Sequence, residues 1–173
     1  PISFSEGEDF DIEDSTEIAR SFIHSISPVC KKISLTNETL DLDLESMGSI
    51  ASGELYIESS GNSTLKVKLH GDGKWVGIRI IGNVTGSLSV AIINEISDGC
   101  NLLRCDDWKV NRDSTLELAT LSVGGNLNKS DIRINLNSKG SDLRCGIASN
   151  GIGKRNDDHH IEIQHSVGFT TSS

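Results

Sequence analysis

The sequence predicts an all-β fold of short strands joined by tight turns, preceded by a short helical or irregular N-terminal segment. Three observations carry that reading. From Ile33 onward, short segments alternate apolar and polar residues; clusters of Gly, Asn, Asp and Ser separate them; and the tripeptide Leu-Arg-Cys occurs twice, at 103–105 and 143–145. Period-2 alternation marks strands with one buried face, and the separating residue types are those that favour turns.

Residues 1–28 form the first region. They open acidic, and then Ile18, Phe22 and Ile26 recur at i, i+4 and i+8. That spacing lays an apolar stripe along one side of a helix. Asp14 or Ser15 supplies a cap, and Pro28 marks the end.

Residues 29–173 form the second region, a β core. About eight segments read as strands, among them "TLDLDLES", "TLKVKLHG", "WVGIRIIG" and "SDIRINL". In the second of these, Leu65, Val67 and Leu69 share a face while Lys66 and Lys68 take the other. Irregular spacing between strands is compatible with a sandwich, a barrel or a β-helix. The recurrence of Leu-Arg-Cys favours stacking. With coils of about 20 residues, Cys105 and Cys145 stand in one column two coils apart, roughly 10 Å from each other. That separation exceeds the reach of a disulfide.

Composition bounds the function. A net charge of −9 with scattered Lys and Arg argues against a nucleic-acid partner, which needs a clustered basic surface. No apolar run approaches the roughly 18 residues that span a bilayer, so no membrane is expected. Nothing at the start of the chain reads as a signal peptide. Four cysteines and four sequons (Asn37, Asn62, Asn83, Asn128) together raise secretion. A chain rich in Asn, Ser and Thr makes sequons by chance, and the expectation is a cytoplasmic protein with reduced, buried, inert thiols. Cys100 and Cys105, five residues apart, point to opposite faces of any continuous strand.

The stretch "NDDHHIEIQH" concentrates the chemistry-bearing side chains. On a strand, His159, Ile161, Ile163 and His165 share one face, so the histidines do not converge. His160 and Glu162 share the other, with Asp157 or Asp158 from the preceding turn. His160, Glu162 and Asp158 are therefore the metal candidates. There is no G-x-S-x-G elbow and no phosphate-cradling G-x-x-x-x-G-K-[ST], and Ser149–Lys154 reads as a turn. No catalytic and no cofactor-binding residue is assigned, and the chain is read as a non-enzyme.

Residues 121–173 resemble the SufB/SufD family of iron–sulfur cluster assembly proteins, SufD more closely. The resemblance rests on Gly124-Gly125 followed by Leu127, then Ser130-Asp131-Ile132, then Leu136 and Gly140, then Asp158, Ile161 and His165, and finally Thr170-Thr171-Ser172. It implies a right-handed parallel β-helix and a non-catalytic scaffold subunit of a SufBCD-type complex. Its implied partners are a SufB-like subunit and a SufC-like ATPase. Iron–sulfur clusters are built on that whole complex, and no residue here is carried over as a cluster ligand. Members of the family continue past the "T-x-S" element, so the resemblance implies a core domain truncated at its C-terminus. A coil edge left open by such a cut is expected to self-associate through "HHIEIQHSV". Two other readings stand beside this one. The first is an extracellular β-helix that binds or cleaves carbohydrate with Asp106, Asp107, Asp157 and Asp158. The second is a divalent-metal module built on the terminal His/Asp cluster.

Overall fold

The computed structural model describes residues 2–11, 17–151 and 153–173. Among these, fourteen strands and one helix follow in the order β1 Ile2–Phe4, β2 Glu8–Asp9, α1 Ile18–Ile26, β3 Cys30–Thr36, β4 Thr39–Ser46, β5 Ile50–Ser60, β6 Asn62–Gly71, β7 Trp75–Val84, β8 Ser87–Asn94, β9 Asn101–Val110, β10 Thr115–Ser122, β11 Leu127–Leu136, β12 Asp142–Ser149, β13 Asn156–His165 and β14 Thr171–Ser172. Even-numbered strands from β4 build one sheet and odd-numbered strands from β3 build the other. All neighbours within each stack are parallel. The chain is a parallel β-solenoid of about five turns, as the stacked-strand expectation holds.

Each coil contributes one strand to each sheet, so every inward side chain sits on its counterpart one coil away. Ile33, Ile57, Gly82, Trp108, Ile134 and Ile163 make one such column, and Leu42, Val67, Ile92, Thr120 and Ile147 make another. Trp108 fits only because its neighbour is glycine: a Cβ on Gly82 would lie 2.0 Å from Trp108 Cε3. Outward residues form charge columns instead. Asp41 and Asp43 of β4 stand beside Lys66 and Lys68 of β6, and Asp43 meets His70 at 2.7 Å. Opposite charges on neighbouring strands favour this register.

The coil length corrects one expectation. Successive parallel partners are 24 residues apart from Cys30 to Glu54 and 29 apart from Leu127 to Asn156. A spacing of 40 is therefore no multiple of a coil. Cys105 lies on β9, facing outward beneath α1, while Cys145 lies on β12 in the opposite sheet, facing the lumen beside Leu118. The two Leu-Arg-Cys tripeptides lie in different sheets and share no register, although Arg104 of the first reaches across the lumen towards Cys145 of the second.

The N-terminal region closes one end of the solenoid. β1 pairs antiparallel with β4, and β2 pairs antiparallel with β3, so both sheets gain a short terminal strand of reversed direction. Ile2 is buried there, and Phe4 lies against Gly53 of the lumen. The cap positions read at Asp14 and Ser15 lie outside the described residues. α1 follows Glu17, whose side chain makes no capping bond, and packs on the outer face of the second sheet.

That helix is turned the other way from its sequence pattern. Ile18 and Phe22 are 84 % and 55 % exposed, whereas Arg20 and Ile23 are buried. Ile23 packs against Gly77 and Ser52, and Arg20 finds partners on the sheet. The stripe at i, i+4 and i+8 faces away from the core because the sheet beneath α1 presents carboxylates.

Candidate functional site

Among the described residues three polar assemblies stand out, and the sequence named side chains in each: Asp158, His160 and Glu162 in the first, Asp106 in the second and Asp107 in the third. The expected His/Asp stretch is β13. As the alternation requires, His159, Ile161 and Ile163 face the lumen in register with Ser130, Ile132 and Ile134. Asp158, His160 and Glu162 face outward. Asp158 accepts a bond from Lys129 Nζ at 3.0 Å, and Glu162 lies 3.5 Å from Arg133 Nε. Alternate residues of a strand are about 6.8 Å apart, so three side chains in single file do not close around an ion bound at about 2 Å. Among the described residues no group of three or more His, Cys, Asp or Glu is placed to hold a metal.

His165 does bring resemblance-bearing residues together. Its Nδ1 lies 2.5 Å from Thr170 Oγ1, and its Nε2 lies 3.1 Å from Ser172 Oγ. Thr171 and Ser172 in turn align beside Asp142 and Leu143 as β14. The histidine thus ties the end of β13 to the next strand across the coil. Gly124-Gly125 forms the corner before β11. Gly125 has φ +93°, and a Cβ on Gly124 would sit 2.0 Å from the Ile96 carbonyl oxygen. These residues are joints of the coil.

The second assembly lies in the lumen, and of its members the sequence had offered only Asp106, as a carboxylate of the carbohydrate reading. Arg104 and Asp106 face inward from β9 and are essentially sealed from solvent. Arg104 donates from Nε to Asp106 Oδ1 at 2.8 Å, from Nη2 to Asp106 Oδ2, and from Nη1 to Thr120 Oγ1 at 3.0 Å. Trp108 Nε1 donates to Asp106 Oδ2 at 3.1 Å. The bidentate pair satisfies both charges where water is absent. His159 lies on the same side of the coil, with Nε2 3.3 Å from Ser149 Oγ. Burial holds its imidazole below the ordinary value near 6.5, and Arg104 and Arg155 add to this against Asp157 and Asp158. A further polar chain runs along one corner: Asn94 Nδ2 donates to Asn128 Oδ1, and Asn128 Nδ2 donates to Asp157 Oδ1, each at 2.8 Å. Asn128 is fully buried, so this sequon presents no amide to a glycosylating enzyme in the folded chain.

The third assembly lies between α1 and the second sheet. Arg20 Nε meets Asp107 at 2.7 Å, Nη1 meets Asp131 at 3.2 Å, and Nη2 donates to the Asp106 carbonyl at 3.0 Å. His24 Nδ1 lies 2.7 Å from Glu54 Oε2, and Arg79 Nη1 donates to the other oxygen of Glu54 at 3.2 Å. Cys105 sits beneath this layer, where burial pushes its thiol up to about 11. Cys30 is pushed up to about 12, again chiefly by burial. All four thiols are free.

Adjacent carboxylates diverge, as their sequence separation requires. Asp106 points into the lumen while Asp107 faces α1, and Asp157 points inward while Asp158 meets Lys129. No helix among the described residues is long and apolar enough to cross a membrane. No protein-family model, no curated protein and no solved structure matches the chain. The class of protein is therefore defined by its architecture: a parallel β-solenoid whose buried charges are spent on internal joints.

Proposed function

We propose that this chain is a non-catalytic scaffold subunit of a SufBCD-type iron–sulfur cluster assembly complex, working in the cytoplasm through contacts with a SufB-like subunit and a SufC-like ATPase. The observation that carries the reading is the position of the resemblance-bearing residues. Gly124-Gly125 makes a corner, Ile132 and Ile161 stack in one lumen column, and His165 clamps Thr170 and Ser172. A motif made of coil joints is what a scaffold of stacked coils needs. The strongest buried charges, Arg104 and Asp106, satisfy one another instead of pointing into an open groove. In this reading the cluster is cargo of the whole complex, and this segment supplies surface.

The test is co-expression of the full-length gene product with the SufB-like and SufC-like subunits of its own source. Retention of both through affinity and size-exclusion steps is the expected result. Recovery of the chain with neither partner removes the reading.

A further inference from the structure

The outer face of the second sheet carries a cleft of about 380 Å³ that crosses β5, β7, β9, β11 and β13. Two rows of outward side chains form its walls. Tyr56, Ile81, Asp107, Arg133 and Glu162 align strand by strand in one row. Asn83, Lys109, Asn135 and Gln164 align in the other. In the first row the charges are already matched: Asp107 meets Arg20 at 2.7 Å, and Glu162 lies 3.5 Å from Arg133 Nε. The second row is different. Asn83 Oδ1 accepts from Asn111 Nδ2 at 2.8 Å, and Asn135 Oδ1 accepts from Ser166 Oγ at 2.8 Å. Asn111 Nδ2 also donates to the Val84 carbonyl at 2.9 Å, which fixes it as the donor. Both carboxamide oxygens are thus tied back. Nδ2 of Asn83, Nδ2 of Asn135 and Nζ of the exposed Lys109 are left with no acceptor among the described residues.

From this row of unsatisfied donors we infer that the cleft binds an extended acidic oligosaccharide, an oligouronide, lying across the strands. Spacing and charge select this ligand. Neighbouring strands repeat at roughly 4.8 Å, close to the length of one pyranose unit in an extended chain, so successive sugars meet successive donors. An extended polypeptide repeats its same-side groups at about 6.8 Å and falls out of step with the row. Amide N–H groups and an ammonium donate to hydroxyl and carboxylate oxygens, and the bonds to carboxylate are the strong ones. Lys109 supplies the positive charge that no protein carboxylate neutralises. Tyr56 and Ile81 give the cleft an apolar end for the C–H face of a sugar ring, and Tyr56 is held there by stacking on Phe10 with centroids 5.0 Å apart. An apolar wall facing a few convergent polar groups is the usual form of a small-ligand site. A net charge of −9 disfavours nucleic acid as the occupant. This inference does not rest on the scaffold reading. It uses none of Asp106, Asp157 and Asp158, and it involves binding without bond cleavage.

The test uses the whole chain, titration calorimetry and β-1,4-linked glucuronate oligomers from the dimer to the hexamer. Submillimolar binding of the hexamer is expected. Affinity should rise up to the tetramer and then level off, because the second row spans four strands. Lys109→Gln and Asn135→Ala should each weaken binding about tenfold, as loss of one hydrogen bond to a charged group requires. Lys66→Gln removes the same charge from an exposed position on the opposite sheet and should bind as the wild type does. Acetylation of Lys109 in the unsubstituted protein gives a readout independent of any variant's folding: the hexamer should slow it at least fivefold and leave Lys66 unchanged. The inference is overturned if the hexamer gives no binding heat and no protection of Lys109, or if Lys66→Gln weakens binding as much as Lys109→Gln. It is also overturned if neutral cellohexaose, hexaglutamate or a uridine hexanucleotide binds as tightly as the glucuronate hexamer.

Discussion

Arg104 and Asp106 occupy lumen positions where strand alternation calls for aliphatic side chains. Their neighbours in register are Ile78 and Ser130 for Arg104, and Ile80 and Ile132 for Asp106. A charge there survives only with a complete set of partners, and the pair has them. Asp106→Ala strands a buried guanidinium and is expected to cost about 3–5 kcal/mol, while replacing both residues together by Met and Leu restores most of the loss. Urea unfolding of Asp106→Ala and of the double variant measures this; a double variant no more stable than Asp106→Ala would refute it. His159 gives the lumen a pH dependence. Its folded value lies below 6.5, so the unfolded chain takes up a proton first as pH falls. Stability is then complete above about pH 6.5 and drops as pH descends toward the folded value, below which no more is lost. His159→Gln should flatten the fall of Tm between about pH 7 and about pH 5. An unchanged slope would assign the acid sensitivity to other groups. The metal candidates belong to this scale too: His160 and Glu162 were placed on one face by parity, while Asp158, expected in the preceding turn, lies within β13 on that same face; sharing a face along a strand is not convergence.

At the scale of the element, α1 shows why a helical stripe does not by itself identify the buried side. Spacing says which residues lie together; the surface beneath decides which side turns down. Asp107, Asp131 and Glu54 come from three different coils, so no local sequence signal announces the carboxylate floor that receives Arg20 and His24. Arg20→Ala removes hydrogen bonds to charged groups worth about 1.5–3 kcal/mol each. The expected outcome is release of α1 over an intact solenoid. Faster amide exchange in residues 18–26 and at least a tenfold faster alkylation of Cys105 would show it; exchange and alkylation at wild-type rates would mean that Ile23 and the contacts of His24 and Ile26 to β5 suffice to hold the helix. Strand legibility follows the same logic. β4 and β6 alternate cleanly and were read directly. β5 carries Gly53 and Ser59 on its inner face, and β9 carries Arg104 and Asp106, so their alternation is masked by residues chosen for close approach or for internal pairing.

Across the whole molecule, the two ends differ. β1 and β2 cover one end with antiparallel strands and bury Ile2. At the other end β13 has no strand beyond it among the described residues, and Ile161 and Ile163 are 38 % and 37 % exposed. A ten-residue parallel edge with free backbone donors and acceptors invites another strand. The protein is expected to self-associate through β13. Light scattering over a rising concentration series should show growth in mass, and Ile161→Lys should suppress it. A monodisperse monomer throughout would count against the proposal. The same asymmetry orders local stability: amides of β6 to β9, flanked on both sides, should exchange more slowly than those of β13.

Alternation, turn residues and the absence of long apolar runs were enough to establish a β protein of short strands, because inside and outside are written every second residue. The same parity set the faces of β13 and sent Cys100 and Cys105 apart. The coil length, the turning of α1 and the lumen pair of Arg104 and Asp106 were decided only when the coils stacked. The coil length depends on residues about 25 positions apart becoming neighbours, and the turning of α1 on contacts 30, 87 and 111 positions apart; Arg104 and Asp106 are close in sequence, but only the stacked coils seal them from water, and a window of sequence carries no trace of which neighbour a later coil will bring.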